Sequence, residues 1–313
     1  MTQTTEVLRP DASDIAHASK LLRSGALVAF PTETVYGLGA DACNSRAVAA
    51  IYEAKGRPSF NPLIVHVADA AKAQRFGVWS DAAEILATAF WPGPLTLVLP
   101  LRPDSGLSSL VAAGLPSVAL RVPSHPLAQS VLNAFDGPVA APSANPSGRI
   151  SATTAAHVMA GLDGRIAAVI DDGPCTVGLE STIVGLTDPE PVILRAGGLP
   201  QEALEAALGV PILTNSVAKV TAPGQLSSHY APNALIRLSA EAAENDEVLL
   251  GFGPVSGDLN LSETGDLIEA AAHLFGYLHE LDAMGRPIAV APVPEHGLGR
   301  AINDRLRRAA APR

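Results

Sequence analysis

Hydrophobic and polar positions along the chain alternate between two periods. Residues 11–24 carry helical spacing, with Asp11 or Ser13 as the cap and Gly25 as the stop. Helical spacing returns at residues 44–54, where Val48, Ile51 and Tyr52 share one side, and again at 81–90, 153–161 and 200–208. The helix at 153–161 takes its cap near Ser151. Between these segments lie short apolar runs at 26–30, 62–67, 95–101, 117–123, 138–142 and 166–171. Each is too short for a core helix and is bounded by Gly or Pro, so each reads as a buried strand. Strands alternating with helices in this way predict an α/β chain.

The pattern breaks at residues 215–232. This stretch has no periodicity and holds Pro223-Gly224 and Ser227-Ser-His-Tyr-Ala-Pro232, a linker composition in which His229 and Tyr230 are unusual. Beyond it a smaller α/β unit is expected. Residues 247–252 and 287–291 read as strands, and 298–310 as an arginine-rich helix. The helix at 266–284 places Leu267, Ala271, Leu274, Leu278 and Leu281 on one face. The expected division is 1–212, a linker at 213–233, and 234–313. Gly251-Phe-Gly253 follows a strand but lacks the third glycine and the downstream acid of a dinucleotide site.

Composition narrows the function classes. The chain has 313 residues, enough for one large or two unequal domains. The net charge of −10 argues against a broad nucleic-acid footprint, though not against a local basic pocket. Cys43 and Cys175 stand alone, with no metal-ligand spacing, and are expected to be reduced core thiols. No secretory signal opens the sequence and no apolar run reaches membrane-spanning length, so a cytoplasmic protein is expected.

Candidate chemistry concentrates in a few loops. Lys55 and Arg57, split by Gly56 and stopped by Pro58, sit on a helix-to-strand connection where both can face one anion. The alternative is a helix C-terminus whose cations offset the dipole. Pro31-Thr-Glu-Thr-Val-Tyr-Gly-Leu-Gly39 gathers two hydroxyls, a carboxylate, a phenol and two glycines, which let the backbone approach a ligand or take positive φ. It also reads as an ordinary turn. His66 shares a strand face with Ile64, opposite Val65 and Val67, and the sequence does not say which face meets a ligand. Arg121 is a cation inside an apolar run, so it must meet a carboxylate from the protein or from a ligand. Arg195 repeats that pattern ahead of Gly197 and Gly198. Ser143-Ala-Asn-Pro-Ser-Gly148 can cradle phosphate or form a plain turn. Arg305, Arg307 and Arg308 read as a solvated helix face, with tRNA contact a minor option. The remaining histidines are read as structural or surface residues.

Taken together, Pro31-Thr-Glu-Thr-Val-Tyr-Gly-Leu38, Lys55-Gly-Arg57, Asn61-Pro-Leu63, Trp91-Pro-Gly-Pro94, Arg121-Val-Pro123 and Ser143-Ala-Asn145 resemble the YrdC family. With Ser228-His-Tyr-Ala-Pro232 and Gly297-Leu-Gly-Arg-Ala-Ile302, the chain is similar to the long threonylcarbamoyl-AMP synthases over about residues 7–308. The resemblance implies a YrdC-like domain built on a twisted mixed sheet around a large, positively lined cavity, followed by a smaller Rossmann-like α/β domain. It implies ATP-dependent joining of L-threonine and bicarbonate (or CO2) into threonylcarbamoyl-AMP with release of pyrophosphate. A separate transferase complex then modifies the tRNA adenosine beside the anticodon, so direct tRNA binding is expected to be weak or absent.

By the same resemblance Lys55 and Arg57 hold the phosphates, with Ser143 and Asn145 on the opposite wall. Asn61, Ser117, Ser151 and Arg195 match nucleotide positions, and His229 and Tyr230 of the linker are placed there too. Thr34, His66, Arg121 and Ser181 hold threonine, Arg121 by a bidentate bond to its carboxylate, while Thr32 and Tyr36 shape that pocket. Mg2+ is expected on the ATP phosphates, with no protein ligand evident. Carbamate and mixed anhydride hydrolyse readily, so residues 228–232 are expected to lie over the cavity and exclude water. The rival readings are a carbamoyltransferase relative, for which two lone cysteines cannot build the zinc sites, and a noncatalytic RNA-binding module.

Overall fold

The computed structural model describes residues 4–214, 222–224 and 228–312, so most of the linker before Ser228 lies outside the described residues. In chain order the N-terminal half opens with β1 (Glu6–Leu8), α1 (Ala12–Arg23), β2 (Val28–Phe30), β3 (Gly37–Asp41), α2 (Ser45–Lys55) and β4 (Ile64–His66). It continues through α3 (Ala70–Ala73), α4 (Asp81–Phe90), β5 (Leu95–Pro100), α5 (Ser109–Ala112), β6 (Ser117–Arg121) and α6 (Pro126–Phe135). It closes with β7 (Val139–Ala140), α7 (Ala155–Leu162), β8 (Ala168–Ile170), β9 (Thr182–Gly185), β10 (Val192–Arg195), α8 (Gln201–Leu208) and β11 (Leu213–Thr214). The C-terminal unit holds β12 (Ile236–Arg237), β13 (Val248–Gly251), β14 (Leu259–Asn260), α9 (Leu267–Ala283), β15 (Ile288–Val290) and α10 (Gly299–Ala310).

Among the described residues, eleven strands form one mixed sheet in the order β1-β8-β2-β3-β7-β4-β6-β5-β9-β10-β11. The centre of that order decides what can become a site. β4 runs parallel to β6, which runs antiparallel to β5, which runs parallel to β9. The register sets His66 beside Arg121, Arg121 beside Thr96, and Thr96 beside Ile183. Side chains alternate across a strand, so Val65, Leu97 and Leu120 enter the core while the row holding His66, Thr96 and Arg121 takes the other face.

The helices obey local chemistry. Asp11 accepts from Ser13 and Asp14 at the start of α1, and Asn44 caps α2 in the same manner. α2 ends at Gly56 in the left-handed conformation (φ 59°), which frees Arg57 to turn inward. α7 is capped by Thr154 rather than near Ser151, and Ser151 bonds elsewhere. Gly37 and Gly39 lie in β3 and have negative or extended φ. Their use is close approach, because a Cβ on Gly39 would sit 2.7 Å from the Phe30 ring.

The C-terminal unit is a parallel four-stranded sheet, β12-β15-β13-β14, with α9 and α10. Its core absorbs Val35, Ile150, Leu179 and Tyr230 from the N-terminal half and the linker. The contact is close at Gly178 (φ 73°), where a Cβ would come within 2.5 Å of the Ala271 carbonyl oxygen. Cys175 is buried as expected, whereas Cys43 is exposed, because it follows Ala42 on the turn between β3 and α2.

Candidate active site

A hollow of about 40 Å³ lies over the polar row of the central strands. The Thr32–Gly37 loop, β4, β6, the Pro142–Ser143 turn, the Glu180–Ser181 turn and the linker surround it. Of the residues expected at the site, Thr32, Thr34, Arg57, His66, Arg121, Ser143, Ser181, Arg195, His229 and Tyr230 line it.

Arg57 and Arg195 in its lining, and Lys55 behind Ser143, share one feature. Lys55 is buried and its Nζ donates to the Ser143 carbonyl at 2.5 Å and to the Asn145 carbonyl. Arg57 donates from Nε to the Asn61 carbonyl (3.1 Å) and from Nη2 to the Pro62 carbonyl (2.8 Å). Arg195 holds the Ser181 carbonyl from Nη2 (2.8 Å) and Nε (3.2 Å). Backbone carbonyls orient these three charges without cancelling them. Burial pushes the Lys55 ammonium well below its usual pKa, and nearby Arg57 pushes it further. Burial also brings Arg57 down to about 10. A buried cation without a counter-charge is costly, so this arrangement calls for an anion.

Arg121 is the exception. Its Nη2 donates to Glu33 Oε1 at 2.7 Å and its Nε approaches the Gly93 carbonyl at 3.4 Å. The sequence left a protein or a ligand carboxylate open for Arg121, and in this structure Glu33 fills that role. Five N–H donors less two leave three, so the Nη1 edge remains for a ligand. Burial raises the Glu33 carboxyl, but the Arg121 charge and hydrogen bonds outweigh it and hold the group below its ordinary value. His66 is neutral, brought to about 3 by burial and by Arg121, and its Nδ1 has no partner. His229 is likewise brought to about 3, chiefly by burial, with Arg57, Lys55 and Arg195 adding to it against Glu180. Tyr230 adopts φ 62°, a strained backbone for a bulky residue, with its hydroxyl buried and unpartnered.

Hydroxyls complete the wall. Thr32 Oγ1 lies 2.8 Å from Thr34 Oγ1, and Ser181 Oγ lies 2.7 Å from Thr96 Oγ1. Around the hollow, Asn61 is buried with both amide atoms unpartnered, as is Asn145 Oδ1. Open polar atoms of this kind mark places where a polar ligand can bind.

Six expected residues do not line the hollow. Lys55 and Asn145 stand directly behind Ser143, and Asn61 behind Arg57. Ser117 begins β6, four residues and about 13 Å of strand from Arg121. Tyr36 turns its hydroxyl to the Gly173 carbonyl (2.8 Å) and supports the loop from below. Ser151 also stays outside the lining, because its Oγ donates to Glu180 Oε1 at 2.5 Å. Glu33, Thr96, Glu180 and Arg305 were not singled out from the sequence. Arg305 is a correction, since it is fully buried against Glu180 (Nε to Oε2, 3.0 Å) rather than solvated, while Arg307 is exposed and pairs with Glu295.

Among the described residues no cluster of three His, Cys, Asp or Glu could hold a metal ion, and no helix is long and apolar enough to cross a membrane.

The family model for Sua5, YciO and YrdC proteins, described as "Telomere recombination", matches residues 20–197. A second, described as "Threonylcarbamoyl-AMP synthase, C-terminal domain", matches residues 199–311. The threonylcarbamoyl-AMP synthase of Bacillus subtilis is 42% identical over 99% of this chain and 96% of its own length. That of Pyrococcus abyssi is 40% identical over 94% and 93%. The crystal structure of P. abyssi Sua5 complexed with L-threonine superposes with a TM-score of 0.90 at 38% identity, covering 98% of this chain and 97% of the other.

Proposed function

The chain belongs to the threonylcarbamoyl-AMP synthase family, in its long two-domain form, and we propose that the hollow over its central strands is where the synthase reaction takes place. The enzyme joins L-threonine, bicarbonate or CO2, and ATP into threonylcarbamoyl-AMP and pyrophosphate. The amine adds to CO2 to give a carbamate and a proton. A carbamate oxygen then forms a bond to the α-phosphorus of ATP as the bond to pyrophosphate breaks. Both partners of this second step are anionic, so positioning and charge neutralisation matter more than a strong base.

One observation supports this assignment above the others: Lys55, Arg57 and Arg195 converge, buried, with backbone carbonyls as their partners. They would take the triphosphate, with Ser143, Asn145 and Asn61 donating or accepting beside them. Thr34, His66, Ser181 and the Nη1 edge of Arg121 would take threonine. Neutral His66 suits a hydrogen bond to the amine or hydroxyl and would not compete as a cation. Ser151, Tyr36 and Thr32 support these groups at one remove, and Ser117 has no contact with this hollow to build a role on. His229 and Tyr230 form one wall, consistent with a lid that excludes water.

Mg2+ would ride on ATP. The carboxylate that lines the hollow, Glu180, already accepts from Ser151 and Arg305, so the described residues offer the ion no protein cage. The catalytic unit is 1–212, the linker 213–233, and the C-terminal unit 234–313. The product is consumed by a separate tRNA threonylcarbamoyl transferase complex in the cytoplasm.

The test is pyrophosphate release from ATP by the purified chain. Release that needs both threonine and bicarbonate is the expected result. Release indifferent to threonine, or none with all three present, overturns the reading.

A further inference from the structure

We propose that Arg305, on the last helix of the C-terminal unit, is a positioning residue of the reaction pocket. It holds the Glu180 carboxylate away from the cations that bind phosphate, and it thereby couples docking of the C-terminal unit to occupancy of the pocket. The inference rests on the reading of the hollow given above and adds a residue from outside the catalytic unit.

Arg305 has no exposed surface, yet it does not line the hollow. Its fork meets Asp304 on its own helix (Nη1 to Oδ2, 3.2 Å) and grips two residues that each adjoin a pocket residue. Nε donates to Glu180 Oε2 at 3.0 Å, next to Ser181, and Nη1 donates to the Ala196 carbonyl at 2.6 Å, next to Arg195. Its guanidinium carbon lies 5.2 Å from the centre of the Tyr230 ring, which lines the hollow from the linker. Glu180 faces the hollow and is the natural competitor of a phosphate. It is buried, it is held ionised by Arg305 and Arg195 against the cost of burial, and its field reaches Lys55, Arg195 and His229. Two acceptor sites on Glu180 are spoken for, one by Arg305 and one by Ser151. Without Arg305, Arg195, which already lies in the field of Glu180, would turn toward it and leave the triphosphate.

Three other contacts of the C-terminal unit reach groups on or beside this wall. His279 Nε2 lies 3.2 Å from the Ser151 carbonyl oxygen, Phe275 packs 5.5 Å from Tyr230, and Gly178 meets the backbone of α9. A surface ion pair would be worth little. A buried one binds each partner to the other, because Glu180 would lose the cation hydrogen-bonded to it while Arg305 would keep only Asp304. Coupling of this kind is reciprocal, so ligands that settle the pocket must also settle α10.

Two measurements test it. In the wild-type chain, hydrogen exchange is followed with and without threonine plus a non-hydrolysable ATP analogue. Exchange in residues 299–310 is expected to slow at least threefold, alongside protection of residues 55–61. Protection of 55–61 with α10 unchanged overturns the coupling, and protection nowhere shows that the pocket reading itself has failed, taking this one with it. In Arg305→Met, the ATP KM is expected to rise at least tenfold while kcat stays within threefold. Adding Glu180→Gln should bring the KM back to within threefold of Glu180→Gln alone. A folded Arg305→Met with wild-type KM, or a double variant whose KM stays high, overturns the electrostatic role.

Discussion

Glu33 and Arg121 form a buried ion pair, 2.7 Å apart, with side chains 7% and 4% exposed. The pair welds the Thr32–Gly37 loop to β6, and Glu33 Oε2 also accepts from the Ser124 N–H at 3.1 Å. Threonine's proposed carboxylate site is therefore built on a charge that is already half-neutralised, which fixes its orientation.

Glu33→Gln should destabilise the fold by about 3–5 kcal/mol near neutral pH, since Arg121 loses its counter-charge. The folded carboxyl is held below its ordinary 4.5, so its stabilisation is present above that value and is lost as pH falls through the lowered one. The variant should lose that part of the acid limb. His66 contributes over a wider window, from 6.5 down to about 3, because the unfolded ring gains a proton that the buried ring refuses. That part should survive in Glu33→Gln. Denaturant unfolding across pH 3–7 checks both, and an unchanged limb below pH 4.5 counts against the pair.

Lys55→Met should abolish pyrophosphate release, by about 10²–10³-fold or more, with little change in melting temperature. Arg57→Ala should behave alike. No carboxylate hydrogen-bonds the ammonium, which feels Glu180 only through its field, so its removal relieves a desolvated charge while two carbonyls lose a donor. A large melting shift with activity retained would mean that the cation serves the fold alone.

Much of this was legible in the sequence, and the failures have physical causes. Apolar runs and caps place α1, α2, α4, α9 and the central strands within a few residues. α6 was missed because Pro126 opens it and breaks the pattern, although Leu127, Ala128, Val131, Leu132 and Phe135 do form a buried stripe. Arg305 was misread with Arg307 and Arg308 as one charged run. A helical reading would have set it in the stripe of Ala301, Ile302, Leu306 and Ala309, where a cation needs a buried partner. Glu33 and Thr96 could not be assigned, because their partners Arg121 and Ser181 lie 88 and 85 residues away along the chain, and only the sheet register with its adjoining loops joins them.

Thr96→Val tests a residue found through that register. The hydroxyl meets Ser181 Oγ at 2.7 Å, and valine keeps the shape but leaves Ser181 short of a partner. The threonine KM should rise about 5–100-fold, the equivalent of about 1–3 kcal/mol for an unsatisfied buried group, with the ATP KM nearly unchanged. Equal effects on both substrates would place Ser181 with the nucleotide instead.

Selectivity follows from the same hydroxyl-rich wall. Serine lacks one methyl of threonine, which an apolar contact can discriminate by only about 1–3 kcal/mol. Valine lacks the hydroxyl and would strand the buried polar groups around Thr34, His66 and Ser181, so it should be rejected more strongly. Competition measured by pyrophosphate release should rank threonine above serine and serine above valine. Valine outcompeting serine would mean that the pocket reads the branch and not the hydroxyl.

The linker carries the last prediction. His229 and Tyr230 stack edge-on at 4.0 Å, both are buried, and Tyr230 holds its strained backbone against Phe275 and Arg305. Strain of this kind persists only where the surroundings fix it, here at the wall of the hollow. Alanine at both positions opens that wall to water, so carbamate and anhydride should hydrolyse before release. ATP consumed per threonylcarbamoyl-AMP recovered should then rise severalfold. Because Tyr230 also packs into the C-terminal core, the double variant should melt lower as well. An unchanged ratio of ATP to product, at any melting temperature, would show that this wall does not keep water out.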